Sequence, residues 1–356
     1  NDDGTWQLRC KDLMSLANLG EKTWPPSAGG FLRQGVTNSV TAIPVDSAVD
    51  YSSVFAVRVG GEFMRIVSVT DNQGANATLN VATRGTVIIA PVSGVVLTQS
   101  RASDHSAGDE VFICDLSDNE DIDLLLARIL IASDLNTSLI PASDWAAEVA
   151  EWHSADKINT LHSEAEDVND VLARLLEGYL MDLWFDQISN RVKLSAITVW
   201  KQSSSVVSEG REIDAYTLKS SPAESLRASR ALVIYDKKNL ADDDSVTSYS
   251  KASQNSDSRV VSQSLYAEHK DKMFENNWLI DSGAAELLTQ RYVARFKFTP
   301  FNYRGKTQER FLTFKTGDVV DLNSTSIQSA SGLPAGSLRA QITKVQPRYT
   351  KDGRVY

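Results

Sequence analysis

The sequence is poor in the residues that usually carry chemistry. Cys10 and Cys114 are its only cysteines, far apart and outside any CxxC or Cys/His spacing, so the chain alone supplies no conventional thiolate metal centre. Cys114, within Phe112-Ile113-Cys114, reads as a small buried hydrophobe. Whether the two are free, bridged or ligands with residues of another chain stays open at this point. The four histidines, His105, His153, His162 and His269, have no partner at the spacing that builds a metal site on one element. HExxH, a Walker loop and GxSxG are all absent. No metal, cofactor or catalytic residue is therefore assigned, and the chain is expected not to be an enzyme.

Two further shortages bound the class. No run of about eighteen apolar residues occurs and no basic-then-apolar leader opens the chain, so neither membrane insertion nor an export signal is expected. The chain begins at Asn1 rather than Met, as a processed or trimmed product would. Basic residues are outnumbered, 36 against 46 acids, and the net charge of −10 has the wrong sign for a general phosphate-binding surface. A local basic patch is compatible with that total.

What remains is an ordinary globular composition, 42% hydrophobic and 23% charged, in a length of 356 residues that suits two or three cores. The first hundred residues read as short strands. Val54–Val59, the Gly60-Gly61 turn and Glu62–Val69 form a hairpin that runs on to the turn Asp71–Gly74, and Thr78–Thr83 and Glu110–Cys114 alternate in the same way. A small barrel or sandwich is expected.

The period then changes. Ser117 and Glu120 have capping-box spacing ahead of Ile122, Leu125, Leu126 and Ile129. A second helix is expected from Ser143, with Trp145, Val149 and Trp152 on one face. A third is expected after Ser163 and Glu166, with Val168, Val171, Leu172, Leu175, Leu176 and Tyr179 as its apolar stripe. Met181–Asp186 and Arg191–Ile197 flank Ser189-Asn190 as a hairpin.

Beyond the serines 203 to 205, Ala231–Tyr235 is the clearest strand. The Asp-, Ser- and Asn-rich stretch Asn239–Asp257 reads as an exposed loop. Asp281 starts a helix through Leu287, Leu288 and Tyr292, leading into an alternating Arg295–Thr299. Arg310–Phe314, Thr316–Leu322 and Arg339–Val345 complete the strands, and the Lys351-Asp352-Gly353 turn just before Tyr356 reads as the middle of a hairpin that continues.

The expected fold class is mainly β with α+β insertions: two small β-barrel domains with a helix-and-hairpin unit between them. The expected divisions are a first barrel over 1–117, an α+β unit over 118–204, a discontinuous second barrel over 205–238 and 296–356, and a loop and helix unit inserted at 239–295.

The acids Asp104, Asp109, Glu110, Asp115, Asp118, Glu120 and Asp121 cluster in one stretch, and Asp115–Asp123 alternates oxygen donors. It lacks the glycine and terminal glutamate of an EF-hand, and helix capping explains its composition. Paired carboxylates for glycoside hydrolysis cannot be positioned from sequence. Trp6, Trp24, Trp145, Trp152, Trp184, Trp200 and Trp278 are candidate sugar platforms, although those at helical or strand spacing read more economically as core.

The order barrel, α+β unit, interrupted barrel resembles the tail-tip (baseplate) hub proteins of long-tailed bacteriophages of the siphophage type. The local text carrying the resemblance is Cys10–Leu13, Trp24–Gly30, Val59–Met64, Arg84-Gly85-Thr86, His105–Val111, the helix and hairpin from Val168 to Leu194, and Thr316–Val320. An additional apolar stretch through Thr98 separates Arg84-Gly85 from His105, a departure that suggests an enlarged loop.

The resemblance implies a structural virion protein at the tail tip. Three copies of two barrels each would adapt a six-fold tail tube to a three-fold tip, with the tube and other tail-tip proteins as partners. Genomic DNA would pass through without specific binding, which an acidic wall favours by repulsion. Some such hubs carry an iron–sulfur cluster, but two cysteines are too few for one here. The loops Asp71–Gly74 and Ser324–Gly336 are expected tube or tip contacts. The alternative is a carbohydrate-binding or polysaccharide-degrading tail appendage.

Overall fold

A computed structural model describes residues 22–25, 30–46, 51–70, 76–186, 189–242, 245–257, 266, 268–307, 314–327, 337–343 and 345. The protein is mainly β, with four α-helices among these residues. Its first strands are β1 (Thr23–Trp24), β2 (Gly30–Leu32), β3 (Ala42–Asp46), β4 (Ala56–Val59), β5 (Glu62–Thr70), β6 (Asn76–Val81), β7 (Val87–Ile89), β8 (Val96–Gln99) and β9 (Glu110–Glu120).

The expected hairpin is present as β4 and β5, turning at Gly60, whose φ of +56° suits a residue without Cβ. The antiparallel pairings run β9-β2-β3-β6-β5-β4 and then return, because β4 also pairs β9 from Ala56↔Cys114 to Val59↔Val111. Alternation in β6 turns Ala77, Leu79 and Val81 inward, where they meet Ile43, Val57 and Met64. Each fully buried aliphatic side chain contributes about 1.5–3 kcal/mol, so this interior is one of the chain's main sources of stability. The turn Asp71–Gly74 lies outside the described residues.

The apolar stretch between Gly85 and His105 contains the hairpin β7–β8, paired with no further strand among the described residues. Ile88, Ala90 and Leu97 pack on Phe63, Cys114 and Leu161, while Val87, Ile89 and Val96 face outward. Asp118 fixes its tip by accepting from the backbone N–H groups of Val92 (2.6 Å) and Ser93 (2.9 Å).

The next elements are α1 (Ile122–Ala132), α2 (Ala142–Trp152), β10 (Ile158–His162), β11 (Glu166–Asp167), α3 (Val168–Tyr179), β12 (Met181–Asp186) and β13 (Arg191–Ala196). All three helices and the hairpin stand where the periodicity puts them. Leu125, Leu126, Trp145, Leu172, Leu175 and Val192 share one core with Trp24 and Trp278.

The capping boxes are corrected. Ser117 and Glu120 are strand residues of β9, which runs on to pair β10, and Asp121 precedes α1 without capping it through its side chain. Glu166 pairs with Trp24 in the short β1–β11 ladder, and Asp167 is the true cap of α3, accepting from Asn169 N–H at 2.7 Å. In both cases the glutamate of the S-x-x-E spacing is a strand residue whose ladder partner is remote in sequence.

The remaining elements are β14 (Ser205–Ser208), β15 (Lys219–Pro222), β16 (Arg230–Lys237), β17 (Tyr249–Ser256), β18 (Asp271–Asn276), α4 (Ser282–Phe296), β19 (Phe301–Arg304), β20 (Val319–Asn323) and β21 (Ser337–Gln341). The polar stretch read as a loop contains β17, a full-length edge partner of β16. Its Tyr-Ser-Lys-Ala-Ser-Gln-Asn-Ser text has no apolar alternation because much of it faces water.

β16 also pairs in parallel with β18, and α4 covers this three-stranded sheet through Ala285, Leu288 and Tyr292. The clearest strand of 205–238 thus joins strands from the segment expected to be an insertion. α4 extends through Phe296, so Arg295 and Phe296 are helical rather than the start of a strand.

The C-terminal strands form a sheet in the order β14-β20-β21 and a separate pair β15-β19 around Val207, Leu218, Val320 and Leu322. Their pairings do not close into a ring among the described residues. Arg310–Thr313, most of Ser324–Gly336, and Lys351–Tyr356 lie outside those residues.

Candidate functional site

The short motifs at Glu62, Arg84 and His105 converge on one buried network beside the ring. Arg84 lies alongside Glu62 with Nε–Oε1 and Nη2–Oε2 contacts of 2.7 Å each, at side-chain exposures of 3% and 0%. Its remaining donors reach the carbonyls of Thr37, Val40 and Ser103. Glu62 Oε2 also accepts from the Ser103 N–H and lies 3.0 Å from His105 Nε2.

Burial alone would raise the Glu62 carboxyl, but the hydrogen bonds from Arg84, Ser103 and His105 outweigh it and hold the group below its ordinary value. Gly85, at φ +64°, lets the chain pass so close to Ala102 that an added Cβ would lie 2.4 Å from the Ala102 nitrogen. Both Glu62 oxygens are occupied and sealed from solvent. The arrangement clamps three loops to the barrel-like ring.

The acidic run is similarly engaged. Arg128, the only cation on α1, donates to Asp115, to Ser117 Oγ (2.9 Å) and to Glu120 (2.6 Å). Asp121 is paired with Lys157, and Asp118 holds the hairpin tip. Burial raises the Asp115 carboxyl, Arg128 opposes that, and neighbouring Glu120 adds to it. No group of three or more His, Cys, Asp or Glu is poised around a metal site among the described residues. The one arginine on α1 was the legible sign that acids of this run are paired rather than free in solvent.

His153 and Asp156, both buried, meet Arg291 of α4: Nδ1–Oδ2 is 2.8 Å and Arg291 Nη1–Asp156 Oδ2 is 2.8 Å, while Arg291 also donates to the Trp152 carbonyl. Burial would raise Asp156, but His153 and Arg291 together hold it below its ordinary value. The cluster fastens the end of α2 to α4.

His162 is sandwiched between Trp24 and Trp278 at centroid distances of 4.8 and 5.2 Å. Burial, aided by the Arg174 charge, lowers its pKa to about 3, so the ring is neutral. One carboxylate oxygen of Glu166 comes within 3.4 Å of its Nε2, and the other is taken by Arg174.

Among the tryptophans considered as sugar platforms, Trp24, Trp145 and Trp278 are core residues, Trp152 and Trp184 are half-buried, and Trp200 is 48% exposed. Trp6 lies outside the described residues, as does Cys10. Cys114 is buried, and burial first of all pushes its thiol far up, as the reading of a small hydrophobe requires. His269 lies 3.4 Å from Ser229 Oγ beside β18. No helix among the described residues is long and apolar enough to cross a membrane.

No protein-family model matches the chain, and no curated protein matches it. Among solved structures it is similar to the 43 kDa tail protein of prophage MuSo2 from Shewanella oneidensis, with 12% identity and a TM-score of 0.35 over 92% of each chain. A tail protein from Neisseria meningitidis MC58 shares 8% identity at a TM-score of 0.40, over 94% of this chain and 92% of that one. Prophage tail protein gp18 from Listeria monocytogenes EGD-e shares 8% at 0.35, over 88% and 82%.

Proposed function

We propose that this chain is a non-catalytic structural component of a bacteriophage tail, and that it forms a trimeric hub ring at the tail tip, between the six-fold tube and the three-fold tip. The observation that carries the reading is the convergence of Val59–Met64, Arg84-Gly85 and His105–Asp109 on one sealed network at a ring of six paired strands. Text that resembles hub proteins thus goes into holding the ring together, as a structural role requires.

A second, C-terminal barrel would complete the pair of wall elements per copy. Among the described residues β14 and β21 each pair on one side only, and edges of that kind are what neighbours in such a ring would cover, since an uncovered edge recruits strands indiscriminately. The test is the mass of the purified chain by light scattering, combined with particle images in which the chain carries a label. A trimer and a label on the tail axis are expected. A strict monomer with the label off the axis would favour the polysaccharide-binding appendage instead.

A further inference from the structure

The strand pair β15–β19 is cationic in an acidic protein. From Arg291 to Lys306 the sequence holds Arg291, Arg295, Lys297, Arg304 and Lys306 and no acid. Arg291 is committed to Asp156, and Arg295, half-buried, feels Asp182. The others remain at the surface.

The register places Lys219 directly opposite Arg304 and Ser221 opposite Asn302. Directly opposed residues share a face, so this face consists of Lys219, Ser221, Asn302 and Arg304, all exposed. None of the four side chains has a hydrogen-bond or ion-pair partner among the described residues. Among the described residues, acids stand toward its two ends: Asp214, whose N–H donates to the Lys306 carbonyl, and Glu224, which accepts from Thr299.

Like charges directly opposed on paired strands are destabilising, and an isolated strand pair is marginally stable to begin with. Phe298, 45% exposed, lies beneath Lys297 just before the ribbon, while Phe301, 51% exposed, pairs with Pro222 on the ribbon's other face.

We propose that this ribbon is a sequence-independent contact for a nucleic-acid backbone. Arg, Lys, Ser and Asn are the side chains that donate to phosphate oxygens, and a phosphodiester bridging Lys219 and Arg304 converts their repulsion into two attractions. The exposed ring of Phe298 offers a surface on which an unpaired base stacks. The proposal deepens the tail reading, in which DNA passes through the assembly, by naming where the polymer touches the wall. Its test needs only the isolated chain, so it fails or succeeds separately from the ring.

The probes are a fluorescein-labelled duplex and a single strand of the same arbitrary sequence, followed by anisotropy from low to moderate salt, with heparin as a sulfated-glycan competitor. Weak binding to at least one probe is expected at low salt. Lys219→Ser with Arg304→Ser should lower the salt slope by about two, at ~0.9 for each phosphate that is no longer neutralised. Arg33→Ser with Arg101→Ser, the same charge change at exposed arginines of the N-terminal region, should leave it in place. Absence of binding at low salt, equal loss in both double variants, or a clear preference for heparin would overturn the proposal. Circular dichroism of both variants checks that their folds are equal, which the exposure of all four positions leads us to expect.

Discussion

Glu62 is as deeply buried as the core aliphatics, yet it is ionised and fully bonded. Removing its partner leaves a carboxylate without compensation, which costs far more than the intact pair contributes. Arg84→Met should therefore destabilise the protein by about 3–5 kcal/mol in urea melts, with Glu62→Leu on top recovering part of the loss.

Acid should act on the same residue. Its folded pKa is depressed, so its contribution is present above the ordinary value of 4.5 and is lost as pH falls through the lower folded value. His162 adds a slope of its own: the unfolded ring takes up a proton below about 6.5, the folded ring only near 3. Across that window stability should fall with falling pH by roughly 1.4 kcal/mol per unit. His162→Phe, which keeps an aromatic ring between Trp24 and Trp278, should flatten the slope; an unchanged slope would mean that the ring is not neutral in the fold.

At the scale of elements, α3 is the most demanding test of the packing. Leu175 is fully buried among Trp24, Val192 and the other residues of that core, so Leu175→Asp should cost several kcal/mol and abolish the cooperative thermal transition. Gly85→Ala should also destabilise, by about 1–3 kcal/mol, because the residue has a left-handed backbone and its new Cβ meets the Ala102 main chain.

Helices and hairpins were legible in the sequence because their signals are local: the stripe from Val168 to Tyr179, or the pairing of Met181–Asp186 with Arg191–Ala196. Partners distant in the chain were not. Nothing local tells that Glu120 serves Arg128, that Tyr249–Ser256 lines β16, or that β15 meets β19 across some eighty residues. Of the clamp, the residues Glu62, Arg84 and His105 could be picked out from their short motifs, but their meeting could not.

At the scale of the whole molecule the constraint is charge against contact area. Copies carrying −10 each repel, so a ring of three needs interfaces whose apolar burial exceeds that repulsion. The outer face of β7–β8 exposes Val87, Ile89, Val92 and Val96, and Val206 stands 54% exposed on β14, beside a sheet edge. Monomeric proteins seldom leave β-branched residues aligned on an uncovered hairpin face. Obligate rings bury upwards of about 2,000 Å² per pair, which makes them insensitive to dilution. Light scattering across a broad dilution series should therefore return one mass, that of a trimer. Moderate salt should hold or strengthen that trimer, because screening weakens the repulsion and leaves apolar burial intact. The informative change lies on the outward side of the hairpin: Ile89→Lys with Val96→Lys adds charge there without touching the packed Ile88 and Leu97. Dissociation of this variant to folded monomers would place the hairpin in the ring interface, whereas an unchanged trimer would leave the ring to be closed by the C-terminal sheet edges.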